Sequence, residues 1–124
     1  MFLETQAMLL VLQMIADERA ELVSSNVLEY ENSRNSNPDR AKAVALYLSL
    51  AAFVQLADEA IRQRGLELEN NGVKPIDALH VACAEASGSD YLLTCDKRLI
   101  NRCKDLSLRV MNPSSFILEI DDAD

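Results

Sequence analysis

The sequence has no Trp, and aromatic residues make up only 5% of it. An aromatic platform for stacking nucleic-acid bases, of the RRM kind, is therefore disfavoured. A single His excludes multi-His metal sites of the zincin type. Positive charge is also scarce. Twelve Lys+Arg against twenty Asp+Glu leave a net charge of −8, so broad attraction to phosphate backbones is not expected. An acidic chain can still act on nucleic acid if its carboxylates hold divalent metal, because the bound ions invert the local charge. Cysteines number three, Cys83, Cys95 and Cys103, an odd count without CxxC spacing. A disulfide framework is not expected, and a reducing, cytoplasmic setting fits. The opening Met1-Phe2-Leu3-Glu4 places an acid where a signal peptide carries basic residues. No apolar run reaches the roughly 18 residues of a membrane span. Repeats, low-complexity segments and an internal linker are absent too.

What is present suits one globular domain over 1–124, since 49% of the residues are apolar and 26% charged. Leu3, Ala7, Leu10, Val11, Met14 and Ile15 fall at helical spacing, predicting a first helix over 3–17. A short strand is expected over 21–24, with Ser24 or Ser25 capping a second helix over about 26–34. Asn37 and Pro38 open a third helix running to about residue 50. A strand over 53–56 and a helix from about Asp58 to the Asn70-Asn71-Gly72 stop follow. The fifth helix, 76 to about 87, is apolar almost all round and should be deeply buried. The strongest strand signal covers 90–95; Asp96 then starts a short helix to 101. A last strand is expected over 108–111, before a final turn or helix opened by Asn112 and Pro113. The acidic end, 119–124, reads as a solvated tail. Helices alternating with short strands favour a three-layer α/β/α fold with a parallel sheet.

Ligands of open α/β sheets bind at the carboxyl ends of strands, which is where Asp96 falls. Its plain reading is the N-cap of the short helix that follows. Asp77, in the first turn of the fifth helix, is equally explained by the helix dipole.

Together the motifs say more. Pro75-Ile76-Asp77-Ala78-Leu79-His80-Val81-Ala82-Cys83-Ala84, followed by Asp90-Tyr91-Leu92-Leu93-Thr94-Cys95-Asp96-Lys97-Arg98-Leu99, resembles the PIN-domain family (PilT N-terminus, VapC-like). That family has an Asp-Ala-Leu-His helix followed by a strand ending in Thr-x-Asp. The stretch Val23 to Glu31 looks like the family's second strand and its acid-bearing helix. The resemblance spans essentially the whole chain and is more specific in the C-terminal half. It implies a metal-dependent ribonuclease, often the toxin of a bacterial toxin–antitoxin pair, with clustered carboxylates holding Mg²⁺ or Mn²⁺. Hard cations want such oxygen ligands, and bound ions can orient a water and stabilise charge on the scissile phosphate.

Carried over by residue, the resemblance makes Glu31, Asp77 and Asp96 the catalytic and metal-binding acids. Glu31 matches better than Glu29, because it follows Ser25 at the family's spacing. The two point about 200° apart on a helix, so only one can face the site. Thr94 either hydrogen-bonds in or beside the site or simply packs in its strand. The family's first, central strand with its leading Asp has no counterpart here. Glu4 is the nearest acid, and it lies on the first helix and does not replace that Asp. Three arrangements answer the missing strand: a longer native protein, a segment exchanged with another chain, or direct closure of the two bordering strands. For the 124 residues as given, an incomplete acidic site is the expectation. The alternative is a catalytically inactive PIN-like module that binds RNA or protein.

Other residues have plainer roles. His80 reads as a structural hydrogen-bonding residue rather than a general base. Cys83 and Cys95 read as inert packing, and Cys103 as more polar in context. Lys97, Arg98, Arg102 and Lys104 form the one basic cluster, suited to RNA phosphate or to solvent. The apolar faces of 3–15 and 43–50 suit an antitoxin helix, a second subunit in a homodimer or higher oligomer, or core packing.

Overall fold

A computed structural model describes residues 2–123, with side chains from Gln6 to Asp121. The side chains of Glu4 and of the last acids thus lie outside what is described. The helix starts follow from capping chemistry. Ser25 caps α2 (Asn26–Ser33), its Oγ accepting from the Leu28 N–H at 3.0 Å. Asn37 caps α3 (Pro38–Leu48), and Pro38 sits where a missing N–H costs nothing. Asp58 caps α4 (Glu59–Asn70) through the Ile61 N–H at 2.9 Å. Pro75 opens α5 (Pro75–Ala86), which has no side-chain cap. Asp96 caps α6 (Lys97–Arg102). The first helix, α1, covers Phe2–Ala16, and α7 covers Pro113–Ala123.

The strands are three residues each: β1 (Val23–Ser25), β2 (Phe53–Gln55), β3 (Tyr91–Leu93) and β4 (Arg109–Met111). They pair in parallel, as helix-linked strands should. Ser24 lies opposite Val54 in the first pair and Leu92 opposite Val110 in the second. The α/β class with short parallel pairing is as expected. Among the described residues, the four strands form two two-stranded sheets, β1 with β2 and β3 with β4.

The chain divides into two compact units: one runs from Leu22 to Ser89, and the other joins the chain before it to the chain after it. In the discontinuous unit, α1 packs on α7 around Val11, Met14 and Phe116. Tyr91 meets Phe116 edge-on, with ring centroids 4.8 Å apart. Leu93, Met111 and Ile120 complete this core. Each fully buried large side chain contributes roughly 1.5–3 kcal/mol. Contrary to expectation, the acidic C-terminal stretch is no free tail. It is the second half of α7, because Phe116, Ile117 and Ile120 recur at helical spacing and pack inward. Glu119 accepts hydrogen bonds from Arg109 and from the Tyr91 hydroxyl. That bond, with some burial, holds the Tyr91 phenol above its ordinary pKa.

In the continuous unit, α4 packs along α5. Gly65 permits the approach: a Cβ there would come within 3.2 Å of Leu79 Cδ2. Ile61, Leu68, Val73, Ala78, Val81 and Ala82 are buried. Arg64 grips Glu85 with a two-point fork, Nε to Oε1 at 2.8 Å and Nη2 to Oε2 at 3.1 Å. The cysteine expectations need correction. Cys83 is buried as read, and burial raises its pKa. Cys95 is exposed, because the strand ends at Leu93; Cys103 is buried, because it terminates α6 on its inward side.

Candidate functional site

In the continuous unit, two segments 49 residues apart in sequence meet through side chains. Glu31 lies near the end of α2, and α5 carries Asp77 and His80. The cap at Ser25 sets where α2 starts and hence which way Glu31 points. Val27 anchors the helix in the core. The Ser25 hydroxyl also bonds the Cys83 thiol, tying the start of α2 to α5. His80 Nε2 lies 3.1 Å from Glu31 Oε1. A carboxylate only accepts, so Nε2 is the donor. His80 is therefore a hydrogen-bonding residue, and its partner is an acid of the expected site. Its side chain is 11% exposed, whereas Glu31 is 56% exposed, so the ring is fixed and the carboxylate stands at the surface. Asp77 precedes His80 by three residues, which places it on the same face of α5, one turn toward the positive helix end. It is half-buried. Glu29 is exposed.

Two buried side-chain atoms here have no hydrogen-bond partner among the described residues: His80 Nδ1 and Ser24 Oγ. The sequence marked His80 as a hydrogen-bonding residue but did not give its partner. Nothing in it pointed to Ser24.

In the discontinuous unit, Asp96 is engaged by its own helix. Its Oδ1 accepts from the Arg98 N–H at 2.9 Å and the Leu99 N–H at 3.3 Å. Its N–H donates to Thr94 Oγ1 at 3.1 Å. Thr94 thus shapes the turn that leads from β3 into α6. The second carboxylate oxygen, Oδ2, takes no part in these bonds. Lys97, Arg98, Arg102 and Lys104 are all exposed around this helix.

A PIN domain model matches residues 3–105. The chain belongs to the PIN-domain family. No curated protein and no solved structure matches it. Membership brings a nuclease-type function and interaction with nucleic acid, and PIN domains generally use divalent metal ions. The donors present are carboxylates, which suit Mg²⁺ or Mn²⁺. Among the described residues, however, no three His, Cys, Asp or Glu side chains group so as to hold a metal ion. The described acids therefore make at most part of a metal site. No helix of the described chain is long and apolar enough to cross a membrane.

Proposed function

We propose that this chain is a PIN-type ribonuclease in which Glu31, Asp77 and Asp96 are the functional acids. The observation that carries this reading is the Glu31–His80 bond. It holds an exposed carboxylate against the helix that carries Asp77, within a sequence matched by the PIN model. The exposed basic residues around α6 are suited to contact RNA phosphates. We extend the reading to the toxin of a type II toxin–antitoxin pair, with an antitoxin protein as partner and Mg²⁺ or Mn²⁺ as cofactor. A non-catalytic PIN-like module that binds RNA or protein is the second reading. It is favoured by the use of Asp96 Oδ1 as a helix cap and by the lack of a three-donor group.

The test is cleavage of a single-stranded RNA by the purified chain with and without Mn²⁺. Activity that needs Mn²⁺ and is lost in both Asp77→Asn and Asp96→Asn is the expected result. Cleavage that survives both substitutions overturns the nuclease assignment. No cleavage, together with a melting temperature that Mn²⁺ leaves unmoved, overturns the nuclease reading in favour of the non-catalytic module, because an ion bound to the folded state raises that temperature.

A further inference from the structure

The sequence holds one Asn-Gly pair, Asn71-Gly72, in the turn that joins α4 to α5. Asn is a chemically labile side chain. When Gly follows, the next backbone nitrogen attacks it most readily, because no Cβ shields that nitrogen. Both residues are exposed to solvent. The fold nevertheless holds the pair closed. Gly72 adopts φ 96°, which ends α4 in a Schellman-type cap. Its N–H donates to the Glu69 carbonyl at 2.9 Å, and the Val73 N–H donates to the Leu68 carbonyl at 3.1 Å. Leu68 and Val73 are buried, so the cap is anchored in the core. Asn71 has ψ 11°. Cyclisation needs the Asn71 Cβ and the Gly72 nitrogen nearly eclipsed about the Cα–C bond, and at this ψ they stand more than a right angle apart. The attacking nitrogen is thus both hydrogen-bonded and turned away.

We propose that Asn71-Gly72 is a self-modification site gated by the α4 cap: when the cap opens, Asn71 deamidates to aspartate or isoaspartate. The Gly72 nitrogen loses its proton to hydroxide and bonds to Asn71 Cγ. The Cγ–Nδ2 bond breaks, and Nδ2 takes a proton from water and leaves as ammonia. Water then opens the five-membered imide. Opening at Cγ leaves an aspartate with a normal main chain. Opening at the backbone carbonyl carbon routes the main chain through the side chain, as isoaspartate. One water is consumed and one ammonia released, with no oxidant or reductant. Isoaspartate lengthens the backbone by one carbon, so the Gly72 and Val73 N–H groups cannot both return to their α4 carbonyls. Either product also sets a carboxylate at the negative pole of α4. The turn fixes where α5 begins, at Pro75, and α5 carries Asp77 and His80. Modification therefore loosens the start of the helix on which the candidate site rests. The reaction proceeds whether or not the chain cleaves RNA.

The full chain is incubated in mildly alkaline buffer, native and in urea, and its peptides are read by tandem mass spectrometry. Asn70, which lacks a following Gly, is the comparison residue. The expected result is aspartate and isoaspartate at Asn71 in the native protein, formed at least about tenfold more slowly than in urea. Hydrogen exchange measures the gate independently, because the Gly72 N–H that exchanges is the one the reaction consumes. The slowing of exchange at Gly72 should match the slowing of deamidation within about threefold. Val73→Ala loosens the anchor and should accelerate both in parallel, with the rate in urea unchanged. The wild-type comparison decides the question if that variant fails to fold. The modified protein, separated by anion exchange through its added negative charge, should melt below the unmodified one. Equal rates native and in urea, no conversion at Asn71 in the native protein while the urea sample reacts, an exchange slowing outside that threefold range, or an unchanged melting temperature would each overturn the proposal.

Discussion

Glu31 and Asp96 are both carboxylates proposed as functional, and the two units hold them in opposite ways. Glu31 is fixed from outside its own helix, by a ring on α5, and most of its side chain faces solvent. Asp96 is fixed by its immediate backbone, capping α6 and leaning on Thr94. The first arrangement needs tertiary packing to exist. The second is local and would form wherever the strand-to-helix turn forms. Each acid uses one oxygen in these bonds, Asp96 on backbone N–H groups of its own helix and Glu31 on the ring of His80. A carboxylate thus serves as a presented acid in one unit and as a helix N-cap in the other.

The largest effects come from the supports beneath each acid. Phe116 is buried against Tyr91 in the unit that carries Asp96. Phe116→Ala should cost about 3–5 kcal/mol, read by urea unfolding. Leu68, buried on α4 in the other unit, should cost about 2–5 kcal/mol as Leu68→Ala. Equal losses would show that both acids stand on cores of similar quality, so that their difference lies in the local bonds alone.

Asp96 offers a sharper separation. Asp96→Ala removes the cap and should cost about 1 kcal/mol, whereas Asn is as good a cap as Asp and should cost almost nothing. On the proposed function, Asp96→Asn still abolishes cleavage, because it keeps the fold and removes the charge. A destabilised Asn variant would mean that the charge of Asp96, through the α6 dipole, contributes more than its hydrogen bonds.

Local chemistry was the legible part of this sequence. The caps at Asn37 and Asp96 and the breaks beside them are signals carried by a few adjacent residues, and the structure has them where they were read. The strand before Asp96 was read too long. Thr94 and Cys95 look like strand residues, yet Thr94 spends its hydroxyl on the turn. That shortening also explains why Cys95 is exposed. The C-terminal helix was hidden by its acids: composition suggested a tail, while Phe116, Ile117 and Ile120 supplied an inward face. The Glu31–His80 bond was out of reach because it depends on how α2 and α5 pack, which no short window of sequence contains. PIN membership came from the spacing of the motifs, not from any composition-level quantity.

The smallest expected effect tests the contact that distinguishes the two acids. In a double-mutant cycle on Glu31→Ala and His80→Ala, thermodynamic coupling isolates the side-chain bond from the packing that each substitution also removes. A hydrogen bond to a charged group contributes about 1.5–3 kcal/mol when well enclosed. Glu31 is largely exposed, and water competes for its oxygens. The coupling should therefore fall to about 0.5–1 kcal/mol, just above the roughly 0.3–0.5 kcal/mol at which independent sites already deviate from additivity. A value in that window means that His80 orients the carboxylate without contributing much to stability, as expected of a bond kept for presentation. A coupling near zero would remove the distinction drawn above, because Glu31 would then be a solvated surface acid that happens to lie beside His80.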